Sequence, residues 1–250
     1  MTGLKFIRRP KPVVTMSGDV SAPTQTSVSH GVLEELLGRW RLALLIGVLL
    51  LELALFFLAS SAPLDPATRQ ALQGEAKNLT GDTHGLTPAG LFSFIFTHNA
   101  VVALGEMIPA LGGLLWLVSI YATGQVIQVV ALSNGAPGPL YAVFILLLPF
   151  AIVELSAYAL ALTSGTMLIV AWRRHTLHRE ARVLLLEAMM VLALLLTAAA
   201  METVTIINPA AGFALWAPMG IAVAILVLAY KAGRRRMSDA SLRPEYVSST

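Results

Sequence analysis

The sequence predicts an all-α, polytopic membrane protein with about six transmembrane segments. Hydrophobic residues make up 56% of the 250-residue chain and charged residues only 12%, about half the charged share of a soluble domain. The apolar residues form long runs, such as residues 42–60, 183–201 and 213–230. Each run has about 18–20 residues, enough for a helix to cross a hydrocarbon core of about 30 Å. Short strands with alternating polar and apolar residues, typical of a membrane barrel, do not occur in the sequence.

The distribution of basic residues predicts the orientation. Of the 17 Lys and Arg residues, six lie before residue 42, four within residues 173–182 and five after residue 230. The other two, Arg69 and Lys77, lie in the polar segment 61–90. Because basic flanks stay on the cytoplasmic side, we expect segment 61–90 outside and both termini in the cytoplasm. The protein is therefore predicted to lie in the cell membrane, in contact with lipid.

The chain divides into three predicted parts. Residues 1–31 are expected to be a disordered cytoplasmic tail, residues 32–231 a single helical membrane domain, and residues 232–250 a basic cytoplasmic tail. The outer segment is predicted to contain a short surface helix that starts at Asp65 and Pro66, which are suited to a helix N-cap and first position.

The tract from residue 91 to residue 172 must cross the membrane an odd number of times, because it starts outside and ends inside. The preferred division has three crossings, with an inner turn at residues 121–124 and a middle helix broken near residues 133–139, where Gly and Pro cluster. The alternative places residues 134–138 outside and turns at 105–109. The full preferred set of crossings is 42–60, 98–122, 125–148, 150–171, 183–204 and 212–230.

Five glutamates fall within apolar runs. Glu187 and Glu202 are near the ends of their run and are expected to reach an interface. Glu52, Glu106 and Glu154 lie deeper, where an ionised carboxylate costs about 2.5–3.5 kcal/mol, so we expect these groups to face protein. The predicted buried polar seam and motif positions are His98, Asn99, Glu106, Asn134, Gly135, Pro149 and Glu154. The glycines expected to permit close helix packing are Gly105, Gly112, Gly113 and Gly165.

Two main interpretations of these polar groups remain open. They either form hydrogen bonds between helices, or they line a pathway in which Glu106, Glu154 and His98 relay protons or bind a solute. A further interpretation is a metal or catalytic site. The sequence, however, has no zinc-protease motif, Walker A lysine, nucleophile elbow or DNA-binding module. It also has no cysteine, which excludes disulfides and thiolate metal ligands. We therefore predict no catalytic residue, metal, cofactor or nucleic-acid partner.

Four short elements stand in order along the middle of the chain. They are FTHN (96–99), ALGG (110–113), SNG (133–135) and LPFAIVELSA (148–157). In this pattern the chain resembles the stage II sporulation protein M (SpoIIM) family over roughly residues 60–172. Many members have Pro-His-Gly where this chain has Pro149, Phe150 and Ala151, so the histidine of that family motif is missing here.

The resemblance implies a non-catalytic role. Endospore-forming members of the family act as membrane scaffolds that hold peptidoglycan-degrading partners at a septum during engulfment. The resemblance thus implies an integral membrane scaffold or complex subunit whose partners are other membrane or envelope proteins, or further copies of the chain. The alternatives are a small-solute, proton-coupled or lipid permease that uses the buried Glu, His and Asn residues, and an intramembrane enzyme.

Overall fold

The computed structural model describes residues 38–83, 85–225 and 228, and within these residues the chain is helical without strands. The α-helices are α1 (Arg39–Ser61), α2 (Pro66–Thr83), α3 (Pro88–Glu106), α4 (Leu111–Ser133), α5 (Gly138–Leu146), α6 (Pro149–Arg173) and α7 (Leu177–Ile207). Two short 3-10 turns, Pro209–Ala211 and Phe213–Leu215, lead into a further helix over residues 216–225. The predicted all-α class is confirmed.

Five of the described helices are long and apolar enough to span a membrane: α1, α3, α4, α6 and α7. Their outward faces carry large apolar side chains such as Leu50, Leu58, Val101, Leu114 and Leu185. Because water does not solvate such faces favourably, they suit contact with lipid. The apolar helix that overlaps the sixth predicted segment, Pro209–Ile225, is shorter, so the number of six crossings stays a prediction.

Contacts between distant residues define the two ends of the bundle. Arg41 bonds to Glu180, so the start of α1 lies beside the start of α7. Gly124 of α4 lies against Ala59, near the end of α1. The basic loop that joins α6 to α7 and the polar segment before α3 therefore lie at opposite ends, which we call the basic end and the polar end. This separation agrees with the predicted orientation, although which end faces the cytoplasm stays a prediction.

The tract between residues 91 and 172 is divided differently from the preferred prediction. Residues 121–124 lie inside α4 and form no turn. The helices instead break at residues 107–110 and at residues 134–137, as in the alternative division. Gly124 packs against α1, and a side chain there would meet the Phe56 carbonyl oxygen at 2.9 Å. The glycine that suggested a turn thus serves helix packing.

The predicted break near residues 133–139 is confirmed. Gly135 adopts a φ of +71°, a left-handed conformation that glycine takes without steric cost. The following helix, α5, has nine residues and is therefore roughly 13 Å long, too short to cross a membrane. It starts beside the end of α1, since Gly138 contacts the carbonyl oxygen of Ser60. The chain then bends again before Pro149, which begins α6.

A helix is present where the sequence predicts a surface helix, and it is α2; its location on the outer membrane surface stays a prediction. Asp65 caps it, because its Oδ1 accepts hydrogen bonds of 3.0 Å from the backbone N–H groups of Ala67 and Thr68. The hydroxyl of Thr68 also donates to Asp65, and these bonds lower the pKa of this exposed carboxyl. The helix packs against α4, so it is held in place at the polar end. The predicted tails, residues 1–31 and 232–250, lie outside the described residues.

Candidate functional site

Four carboxyl groups from four helices approach one another inside the bundle. They belong to Glu52 of α1, Glu106 of α3, Glu154 of α6 and Glu202 of α7. Glu106 and Glu154 are close enough to act electrostatically on Glu52, and Glu154 acts in the same way on Glu202. We call these four residues the carboxyl cluster. The sequence showed that three of them lie deep within apolar runs, but only the packing of the helices brings all four together.

Two hydroxyl groups donate hydrogen bonds to the carboxyl cluster. Ser119 Oγ of α4 donates to Glu106 Oε1 at 3.1 Å, and Tyr158 Oη donates to Glu154 Oε1 at 3.1 Å. The second bond confirms that Glu154 and Tyr158, four residues apart, share a helical face. Both bonds agree with the prediction that Glu106 and Glu154 face protein partners.

Other oxygens of the carboxyl cluster have no hydrogen-bond partner within the described part of the chain. They are both carboxyl oxygens of Glu52 and the Oε2 atom of Glu106. Glu52 and Glu106 are each 0% exposed. A buried polar group without a partner is costly, and a buried charge more so. These two side chains are therefore the least satisfied part of the bundle and the strongest candidate for a site.

Accessibility within the carboxyl cluster is graded. Glu154, Tyr158 and Glu202 are half-buried, whereas Glu52 and Glu106 are fully buried. Glu202 lies five residues before the end of α7 at Ile207, and α7 ends at the polar end of the bundle. The half-buried members of the cluster thus lie closer to the polar end than the fully buried ones.

The backbone is tightly packed around the end of α3, where Glu106 lies. A Cβ atom on Gly112 would collide with the carbonyl oxygen of Glu106, and one on Gly165 would lie 2.9 Å from the carbonyl oxygen of Met107. Between α3 and α4 the chain turns through Ala110, whose φ is +67°. Only hydrogen atoms fit at these two glycines, so α4 and α6 pack directly against the backbone at the end of α3.

A buried ion triad lies at the basic end. The guanidinium of Arg41, whose residue is 4% exposed, donates to the carboxylates of Glu180 and Glu187. The expectation that Glu187 reaches an interface is wrong, since it is 1% exposed and held by Arg41. The sequence offered one signal for this triad. Glu180 and Glu187 are seven residues apart, so they share a helical face.

The predicted polar seam is only partly buried. Asn99 is 7% exposed, as expected, but His98 is exposed and lies parallel to the ring of Phe94 at 6.4 Å. The expectation of a buried His98 is therefore wrong, because one residue step on a helix turns a side chain by about 100°. Asn134 and Gly135 are exposed in the turn before α5, whereas Pro149 is buried.

The glycines expected at helix contacts behave differently from one another. Gly112 and Gly165 are closely packed against backbone, and Gly105 lies near the flexible side chain of Leu115. A Cβ atom on Gly113 would meet no neighbouring helix within 4 Å, so the prediction for Gly113 is wrong. Sequence reasoning missed Gly124 and Gly138, both of which contact the end of α1.

Comparison with known proteins decides the family. The family model for stage II sporulation protein M matches residues 42–205, well over half of the chain. The chain belongs to the SpoIIM family. SpoIIM is not a known enzyme family, and the matched region contains the whole carboxyl cluster. The matched region ends at residue 205, within α7, and so extends beyond the part in which the sequence motifs showed the resemblance. No curated protein and no solved structure matches the chain.

Proposed function

We propose that this SpoIIM protein is a non-catalytic membrane scaffold that holds another membrane or envelope protein at the polar end of its bundle. The family resemblance implies such a role for the endospore-forming members. The observation that carries the proposal for this chain is α2, an ordered polar helix outside the group of long apolar helices. A helix of this kind gives a partner a fixed surface outside the lipid.

The contacts of α2 support this role. Its start is fixed by the Asp65 cap, and its body packs against α4. The side chains of Arg69, Gln70 and Lys77 are exposed. Since the cap and the packing already order the helix, a partner would not have to supply that ordering energy when it binds.

The close packing inside the bundle is expected to make the protein rigid. Gly112, Gly124 and Gly165 bring helix backbones into contact, and the Arg41 triad joins α1 to α7 at the basic end. Packed interfaces of this kind resist continuous deformation. A scaffold needs that rigidity to keep a partner in one place.

Photo-crosslinking in native membranes tests the scaffold proposal. A photoreactive amino acid at position 70, on the exposed side of α2, is expected to form discrete adducts with another protein. The matched control is position 58, because Leu58 is 63% exposed on an apolar, lipid-facing helix and is expected to react with lipid. Adducts that contain only this chain would identify a further copy as the partner. If position 70 yields no protein adduct, the proposal is wrong.

The carboxyl cluster favours a second candidate function, a proton-coupled permease. A permease needs a polar path that opens to each side in turn. Four carboxyl groups within the bundle supply part of such a path, but the close backbone packing at Gly112 and Gly165 leaves the helices around them little freedom to open to each side in turn. We therefore rank the permease below the scaffold.

Proton flux into reconstituted vesicles distinguishes the two functions. We expect vesicles with the wild-type protein and vesicles with Glu106→Gln to take up protons at the same rate as empty vesicles, because the helices around the carboxyl cluster are too closely packed to open to each side in turn. The measurement is the response of an enclosed pH-sensitive dye. A wild-type flux well above that of empty vesicles, lost in Glu106→Gln, would instead establish the permease, since an amide cannot take up and release a proton.

A further inference from the structure

We propose that the carboxyl cluster is an intramembrane proton-binding site that exchanges protons with the polar end of the bundle. This inference does not depend on the scaffold role, because a site can bind protons without conducting them across the membrane.

The first argument is the number of acidic groups that have no basic partner among the residues described by the structure. Glu52 lies within electrostatic range of Glu106 and Glu154, and Glu202 within range of Glu154. The described groups that bond to the cluster are the hydroxyls of Ser119 and Tyr158. Tyr158 also lies within electrostatic range of Glu106 and Glu202. Several ionised carboxylates cannot share a low-dielectric interior without a balancing positive charge. The cluster therefore requires cations.

The second argument is the unsatisfied geometry of Glu52. Neither of its oxygens has a hydrogen-bond partner in the described part of the chain, although the residue is 0% exposed. The side chain lies within electrostatic range of Glu106 and Glu154. A carboxylate with no donor around it has room for a proton on either oxygen. Among the residues that the structure describes, no three acidic or imidazole groups are close enough to hold one metal ion. A proton needs a single oxygen, whereas a metal cation needs several ligands, so the proton fits better.

The third argument is the direction of access. Glu202 and Glu154 are half-buried and lead from the polar end toward the fully buried Glu52 and Glu106. On the far side of Glu106, Gly112 and Gly165 lie directly against backbone carbonyl oxygens. Beyond them the acidic residues Glu180 and Glu187 are already paired with Arg41. Glu202 on α7 and Glu154 on α6 are therefore the members of the cluster at which protons from the polar end would enter.

Infrared spectroscopy of the purified protein in lipid nanodiscs tests this site. Protonated carboxyl groups have a C=O stretching band that is separate from the bands of carboxylates and amides. We expect this band in the wild-type protein at neutral pH, and we expect it to shift in heavy water because the site exchanges protons. Glu52→Gln and Glu106→Gln should each remove part of the band. The combined replacement of all four cluster residues by Gln should remove it.

Two controls make the outcome decisive. Asp65→Asn removes an exposed carboxyl outside the bundle and should leave the band unchanged. The wild-type measurement needs no variant, so it decides the question even if a Gln variant fails to fold. No band at neutral pH, a band that persists after all four replacements, or a band that sodium ions abolish would each overturn the proposal. The last result would assign the site to a metal cation.

Discussion

Arg41→Leu is expected to destabilise the folded protein by about 3–5 kcal/mol, the cost of removing one partner from a buried charge pair. The substitution leaves the carboxylates of Glu180 and Glu187 buried without their cation. It also releases the start of α1 from α7. The measurement is the free energy of unfolding of the detergent-solubilised protein in a denaturant titration.

Matched variants separate the charge effect from the loss of a long side chain. Arg39→Leu removes the same groups from an exposed residue two positions earlier and should cost under about 1 kcal/mol. Replacing Arg41, Glu180 and Glu187 together by Leu should recover much of the lost stability, because no unpaired charge then remains. If Arg41→Leu costs no more than Arg39→Leu, the triad does not hold α1 to α7.

Gly112→Ala is expected to destabilise the bundle by about 1–3 kcal/mol, the usual cost of forcing an extra methyl group into a packed interior. The new methyl group would lie so close to the Glu106 carbonyl oxygen that the two would clash sterically. The turn between α3 and α4 must then open and carry Glu106 away from Ser119. Thermal unfolding of the detergent-solubilised protein and the infrared carboxyl band would report the two effects separately.

The neighbouring glycine provides the matched control. Gly113 has open space where a Cβ atom would lie, and alanine is a better helix former than glycine. Gly113→Ala should therefore be neutral or stabilise the protein by up to about 1 kcal/mol. Equal effects of the two substitutions would contradict the described packing of Gly112.

The transmembrane character of the helices could be predicted from the sequence because it depends on local composition. A run of about 20 apolar residues forms a helix wherever it meets lipid, since its backbone has no other hydrogen-bond partners. The cap of α2 could also be predicted from the sequence, because Asp65 accepts hydrogen bonds from N–H groups only two and three residues further along the chain. The break near Gly135 likewise follows from residues adjacent in the chain.

The division of residues 91–172 could not be decided in this way. Gly124 suggested a turn, whereas the turn lies at residues 107–110. Glycine serves both turns and close helix contacts, and only the position of α1 shows which applies here. His98 was likewise expected in the buried seam with Asn99, but the rotation of α3 against its neighbours buries one and exposes the other.

The sequence by itself determined that this protein is a bundle of apolar helices with carboxyl groups at depth and a polar helix between the first two long ones. Only the tertiary structure decided which of those carboxyl groups meet. Arg41 and Glu187 are 146 positions apart, and the carboxyl cluster draws one residue from each of four helices. Whether these side chains are buried and which charges they meet depend on distances between helices. Those distances are set by the packing of the helices, which the local sequence around each residue does not specify.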